Sequence, residues 1–224
     1  GLAQAAREAG VTIFENSRVN LPDVKAQTVI LATDTWMGEL APDLGRYTVP
    51  IMNYNIATAP LPHADALLPS DAAVADSRFV LNYFRLSADK RLLFGGGEKY
   101  VQRPPADIGA FVRKHIVKVF PSLADTAIDY AWGGAVGVTM NRLPHLGRRQ
   151  ASSGQTIFFA HGFSGHGALV TTLAGELLAE AVAGTKERFD VFASLPQRPF
   201  PGGRLLARPL ATLGLLWYAL RDRI

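Results

Sequence analysis

The chain contains no cysteine. Disulfides, thiolate nucleophiles, cysteine-ligated metals and any cofactor tethered through sulfur are therefore excluded. It also has no apolar run of the ~18 residues that a membrane span requires. Charge of one sign is not concentrated: the net charge is only +4, and Arg198, Arg204, Arg208, Arg221 and Arg223 put five of the basic residues in the tail. No basic face interleaved with aromatics is visible, so nucleic acid is not an expected partner. No metal site is expected. The first residues, Gly1 to Gly10, lack the pattern of a signal peptide. A cytoplasmic setting is the expectation, and the opening reads as the middle of a helix. What is abundant is apolar side chain, 48% of 224 residues, which is enough for one large or two small domains with a buried core.

The most informative stretch is His161-Gly162-Phe163-Ser164-Gly165-His166-Gly167, which runs directly into the apolar segment from Ala168 to Val182. Thr156 to Ala160 reads as a strand, the glycines as a turn, and Ala168 onward as a helix. Glycines at 162, 165 and 167 leave the backbone amides bare. An electron-rich ligand can then approach the unpaired N–H groups and the positive dipole end of the helix. The turn is thus a candidate site for stabilising negative charge.

Along the rest of the chain, residues 1 to 9 are helix formers closed by Gly10, and Val11-Thr12-Ile13-Phe14 reads as a short buried strand. Thr28 to Ala32 is a continuous apolar run typical of a strand covered on both faces, with Thr33-Asp34-Thr35-Trp36 past its carboxyl end. That turn is either a ligand contact, as is usual beyond strand ends in α/β sheets, or a cap in which Asp34 or Thr33 closes a short helix over 35–40; capping is the commoner role. From Tyr47 the texture becomes antiparallel β, with Phe79 to Leu86 and Leu92 to Gly95 flanking a turn at 87–91. Period two puts Phe79, Leu81, Tyr83 and Arg85 on one face, either to hold a substrate or as a solvated outer surface. Ile108, Phe111, Val112, His115, Ile116 and Val119 have helical spacing. Ile128 to Thr139 is a long strand whose glycines at 133, 134 and 137 permit close approach. A final apolar segment, Leu210 to Leu220, reads as a packed helix or an interfacial one.

The fold class expected is α/β with α+β character. Residues 1–46 and 140–190 read as one layer system with 47–139 inserted as a mainly antiparallel β-module, and 191–224 as a tail with a helix; the resemblance set out next implies that the first is an incomplete Rossmann-like, dinucleotide-binding domain and the second the substrate domain.

Several segments taken in order carry a resemblance: Val29 to Trp36; Asn82-Tyr83-Phe84-Arg85 with Leu92 to Gly97; Trp132-Gly133-Gly134 with Arg142 to Gly147; and Gly162 to Gly167. Together they resemble the D-amino acid oxidase-like superfamily of FAD-dependent amine oxidoreductases. The tail, Arg198 to Arg204, looks most like its gamma-glutamylputrescine oxidoreductase branch. The resemblance implies FAD as cofactor, not linked through cysteine. It implies flavin contacts at Thr33, Trp36, Gly134, Gly162, Phe163, Ser164, Gly165, His166 and Gly167, and substrate contacts at Tyr54, Tyr83, Arg85 and Trp132. The implied reaction is hydride transfer from the carbon next to the nitrogen of a small-molecule amine, with oxygen or another electron acceptor closing the cycle. His166 is the nearest titratable candidate for an acid or base, although such flavin chemistry requires none.

The chain departs from the superfamily in three places. No Gly-x-Gly-x-x-Gly turn opens a helix, so the unit that holds the ADP half of FAD is missing. The region from Val19 to Ala26 is shorter than expected. Val136 and Leu169 stand where relatives place an arginine or lysine for the substrate carboxylate, which favours a longer or less acidic amine. The competing expectation is a truncated or split, non-catalytic subunit that needs a partner chain to supply the ADP-binding half.

Overall fold

The computed structural model describes residues 1–70, 72–78, 81–97 and 104–221. Its elements, in chain order, are α1 (Leu2–Glu8), β1 (Thr28–Leu31), α2 (Met37–Leu40), α3 (Pro42–Gly45), β2 (Thr48–Thr58), α4 (Ala64–Leu67), β3 (Val74–Ala75), β4 (Tyr83–Leu86) and β5 (Leu92–Gly95). They continue with α5 (Ile108–Val119), β6 (Ile128–Thr139), β7 (His145–Gln150), β8 (Thr156–His161), α6 (Gly167–Ala183), α7 (Glu187–Ala193) and α8 (Gly203–Arg221).

Two sheets result. The smaller has the order β1-β8-β7, with β1 parallel to β8 and β7 antiparallel to it. The larger is antiparallel, in the order β3-β4-β5-β2-β6. On one face of the small sheet, Leu146, Phe158 and Ala160 pack against Ala174, Leu177, Leu178 and Ala181 of α6 and Phe189 of α7. On the other, Ile157 and Phe159 pack against Met37, Ala41 and Leu44 from α2 and α3. This two-sided burial is why β8 is apolar at every position from Ile157 to Ala160 instead of alternating.

One face of the large sheet is covered by α5. Tyr54, Ile56, Leu86, Leu92 and Phe94 meet Val112 and Ile116 of α5, whose start is capped by the Asp107 carboxylate accepting from the Ala110 N–H at 2.8 Å. The turn between β4 and β5 closes with the Ser87 N–H donating to the Arg91 carbonyl, and with Lys90 in the left-handed region. Phe79, expected to extend that hairpin strand, lies outside the described residues.

Two expectations are corrected. Val11 to Phe14 is not a strand: no neighbouring strand offers it hydrogen bonds among the described residues, and all four residues are exposed. The last helix begins at Gly203, seven residues before Leu210, with Pro209 inside it. Among the described residues no helix is long and apolar enough to cross a membrane, and no three His, Asp or Glu side chains come together as metal ligands would.

Candidate active site

Because β1 and β8 are parallel neighbours, their carboxyl ends lie side by side, and the chain leaves both into tight turns. Between these turns, the end of β6 and the first turns of α6 lies a cavity of about 450 Å³. Its lining includes Ala32, Asp34, Ala135, Val136, Phe163, Ser164, Gly165, Gly167 and Thr171. A cleft beyond the carboxyl ends of parallel strands is where α/β sheets bind ligands.

The glycine turn has the geometry its composition suggests. Gly162 has φ +71°, Ser164 +53° and Gly165 +93°, all in the left-handed region. At Gly162 a Cβ would stand 2.5 Å from the Thr139 methyl and 2.8 Å from the Thr48 methyl, so glycine is required there by space as well as by conformation. At Gly165 a Cβ would meet nothing within 4 Å; the backbone there faces open space. The turn delivers the chain into α6 with no side-chain cap at His166 and no acidic residue in the first turn. The helix therefore presents free N–H groups and its positive end to the cavity.

Asp34 ties these parts together. Its Oδ1 accepts from the Gly162 N–H at 2.7 Å and its Oδ2 from the Gly137 N–H at 3.2 Å. One carboxylate at the end of β1 thus clamps the glycine turn to β6 of the other sheet. Ser164 adds two further links: its N–H donates to the Gly137 carbonyl at 2.9 Å, and its Oγ accepts from the Thr139 N–H at 3.2 Å. The capping role expected for Asp34 or Thr33 is corrected accordingly. Neither side chain caps the helical turn at Asp34–Trp36, because the carboxylate is committed across the sheet interface.

Next to the turn, the imidazoles of His161 and His145 face each other at 2.9 Å between Nε2 and Nδ1. Burial holds both neutral, pushing His145 down to about 4 and His161, which also faces His145, down to about 3. Among the described residues, the Nδ1 atom of His161 has no partner.

The second half of the site is the face of the large sheet opposite α5, which is exposed around Trp132. Strand register pairs Ile51 with Val136, Asn53 with Gly134, Asn55 with Trp132 and Ala57 with Tyr130. It also pairs Asn55 with Gly95, and Gly95 with Tyr83. Directly paired residues share a face, so Val136, Gly134, Asn53, Asn55, Trp132, Tyr83 and Arg85 lie on one surface. Trp132 is 46% exposed there and Gly134 borders open space. Tyr83 lies across β5 directly over Gly95, where any Cβ would collide with its ring. Its hydroxyl thereby reaches β2, 2.7 Å from Asn53 Oδ1 and 3.0 Å from Asn55 Oδ1.

The residues expected at the site are thus distributed as follows. Phe163, Ser164, Gly165 and Gly167 line the cavity, and Gly162 shapes the turn beside it. Gly134, Tyr83, Arg85 and Trp132 lie on the open sheet face that continues from Val136. Tyr54 does not join them: alternation turns it to the α5 side, where it is fully buried with its ring edge against Phe111. Its grouping with the substrate residues is corrected. Thr33 turns inward, its hydroxyl 3.8 Å from Met37 Sδ, and Ala32 and Asp34 take its place at the cavity. Trp36 lines a different, 260 Å³ cleft with Arg46 and Thr48. His166 is exposed at the helix start. Leu169 is 80% exposed, whereas Val136 lines the cavity.

Sequence reasoning passed over Asn53 and Asn55. The signal was available: two asparagines two residues apart inside an apolar strand share a face, opposite to Tyr54 and Ile56.

Comparison with known proteins identifies the family. A family model described as FAD dependent oxidoreductase (DAO) matches residues 1–181. The chain is 41% identical over 204 residues to gamma-glutamylputrescine oxidoreductase of Escherichia coli (strain K12), covering 90% of this chain and 47% of that protein. It is 38% identical to a probable oxidoreductase, OrdL, of Rhizobium meliloti (strain 1021), covering 100% of this chain and 54% of that one. The chain spans about half the length of these curated relatives. Among solved structures, L-proline dehydrogenase from P. horikoshii superposes with TM-score 0.59 at 23% identity, over 75% of this chain and 46% of that one. Glycine oxidase from Geobacillus kaustophilus superposes with TM-score 0.56 at 24% identity, over 70% and 42% respectively. These two likenesses concern the fold. The family match covers most of the chain, and the chain belongs to the DAO family of FAD-dependent oxidoreductases.

Proposed function

We propose that the chain forms the flavin-ring side and the substrate side of an FAD-dependent amine oxidoreductase of the kind represented by gamma-glutamylputrescine oxidoreductase. The observation that carries this reading is the cavity at the glycine turn, clamped through Asp34 to the strand that leads onto the open sheet face. The residues present suit a flavin ring: bare backbone at Gly165, free N–H groups at the start of α6, and a lining that is otherwise apolar or small. Phe163 to Gly167 and Val136 would hold the ring, without a covalent link through cysteine. Bound FAD supplies the acceptor for hydride leaving the carbon next to the substrate nitrogen.

The chain's own part is position and field. The N-terminal end of α6 favours negative charge as it develops on the ligand, and one well-aimed donor of this kind contributes about 3 kcal/mol to a transition state. Among the described residues, Asp34 is the sole titratable side chain in the cavity lining, and both its oxygens are engaged by backbone N–H groups. No side-chain base is therefore assigned, and His166 is not needed as one. Hydrolysis of the resulting imine then releases the amine nitrogen. Arg85, Tyr83 and Trp132 on the open face would contact the remainder of the substrate, and oxygen or another electron acceptor would complete turnover in a cytoplasmic setting.

The ring site is tested by titrating riboflavin, which lacks the ADP half, and following flavin fluorescence. Quenching that is saturable in the wild type and lost in Gly165→Val is expected; equal quenching in both refutes the placement.

A second reading is a subunit that is non-catalytic by itself and draws the ADP-binding half from elsewhere. It is favoured by β1, which pairs only with β8 among the described residues and leaves Ile30 45% exposed. A purified chain with the visible spectrum of bound FAD would exclude it.

A further inference from the structure

The last helix carries an apolar face that the rest of the described chain does not cover. Its attachment to the body is narrow. Ala207 is buried beside Arg46 and Thr48 at the start of β2, and the approach to the helix is held by the Phe200 N–H donating to the Arg46 carbonyl at 2.9 Å. Leu206, Leu210, Leu213 and Trp217 stand at i, i+4, i+7 and i+11 of α8, a spacing that gathers them into one stripe along the helix. All four are between 43% and 62% exposed. A helix packed on a core turns such a stripe inward; α8 leaves it in solvent.

The charge of the same segment narrows what would cover it. Residues 198–224 hold Arg198, Arg204, Arg208, Arg221 and Arg223 against a single acid, Asp222, so they carry the whole net charge of +4 and the preceding residues are balanced. A second copy of the helix fits poorly: it would bring the same arginines together with one acid on each side, and Pro209 and Gly214 interrupt the even seam that a helix pair needs. No helix among the described residues is long and apolar enough to span a bilayer. A leucine and tryptophan stripe within a cationic segment suits the boundary between headgroups and acyl chains of an anionic membrane. There the apolar side chains reach hydrocarbon, tryptophan sits at the interface, and arginine is drawn to phosphate.

We propose that α8 is a membrane-surface helix that docks the chain on an anionic phospholipid bilayer, with Leu206, Leu210, Leu213 and Trp217 inserted below the headgroups and the cationic tail drawn to their phosphates. The inference goes beyond the amine-oxidoreductase reading and does not depend on it. It gives the flavin chemistry a place at a lipid surface without any segment crossing the bilayer.

The test is co-sedimentation of the purified 224-residue chain with vesicles of phosphatidylcholine alone and of equimolar phosphatidylcholine and phosphatidylglycerol. Binding to the anionic vesicles that weakens as salt is raised is expected, with far less binding to the neutral ones. Leu213→Glu alters an exposed member of the stripe that the fold does not use, and should weaken binding at least about tenfold, the factor carried by burying one leucine. Arg204→Gln/Arg208→Gln leaves the stripe intact and should weaken binding to the anionic vesicles about 25-fold, at about fivefold per arginine. Absence of binding to anionic vesicles at low salt overturns the proposal, as does equal binding of the wild type to both vesicle types or unchanged binding by Leu213→Glu. A dimer in sedimentation equilibrium that Leu213→Glu dissociates, without vesicle binding, overturns it in favour of a second copy.

Discussion

The Asp34 clamp predicts a stability effect that its two hydrogen bonds set. Asp34→Asn keeps one carbonyl oxygen but turns an NH2 group toward a backbone N–H, so either the Gly162 or the Gly137 donor, at 2.7 and 3.2 Å from the carboxylate, loses its acceptor. Hydrogen bonds to charged groups contribute a net ~1.5–3 kcal/mol each. The Gly137 bond is long and the site only partly buried, so the loss in Asp34→Asn is about 2 kcal/mol. Asparagine tolerates the left-handed conformation that Asp34 adopts, φ +40°, so backbone strain does not confound the comparison. Asp34→Ala loses both bonds and that tolerance, and its cost rises to about 4 kcal/mol. At ~2–4 °C per kcal/mol for a chain of this size, thermal unfolding should drop by roughly 4–8 °C for Asn and about twice that for Ala. Hydrogen exchange should report the same event locally, with faster exchange at Gly137 and Gly162 before the rest of β6. If Asp34→Ala unfolds within ~0.5 kcal/mol of the wild type, as an ordinary surface substitution does, the clamp does not join the two sheets and the reasoning fails.

Other outcomes follow from the same geometry. Gly162→Ala should cost ~2–3 kcal/mol in urea unfolding, from left-handed strain plus collision with Thr139 and Thr48, whereas Gly165→Ala, with open space around it, should cost ~1 kcal/mol from strain alone; similar losses at both positions would contradict the packing at Gly162. The buried histidines predict a pH window. Their folded values, about 4 for His145 and about 3 for His161, lie below the ordinary 6.5, so the unfolded chain binds more protons. Stability is fully present above pH 6.5 and falls as pH drops from there toward 4, by about 2 kcal/mol per histidine at pH 5. The double variant His145→Gln/His161→Gln should flatten this slope between pH 7.5 and 5; an unchanged slope would remove the histidines from the account. Gly95→Ala should move the Tyr83 ring off β5, seen as a changed Cζ chemical shift at Tyr83, and a spectrum identical to wild type would refute its reach to Asn53.

Much of the site was readable in the sequence because it is local. The glycine spacing from 162 to 167 encodes a turn into a helix whatever surrounds it, and the apolar period from Ile108 to Val119 encodes α5. What escaped depends on partners distant in sequence. Asp34 has an ordinary capping position, and only the folded chain shows its carboxylate bound to residues 103 and 128 positions away. Val11 to Phe14 has strand composition but no strand beside it. Tyr54 illustrates a different failure: the family resemblance implied a substrate contact, yet the two-residue alternation that places Asn53 and Asn55 on the open face sends Tyr54 into the core. A polar pair in an apolar strand was the better signal than the aromatic between them.

The central claim is that the turn from Gly162 to Gly167 is the flavin-ring site. Backbone chemical-shift mapping of the chain during a lumiflavin titration tests it most directly. The account predicts perturbations concentrated at Phe163 to Thr171, Asp34 and Val136. Shifts confined instead to the 920 Å³ cleft around Leu21, Lys25, Arg149 and Ser153, with the glycine turn unmoved, would contradict it.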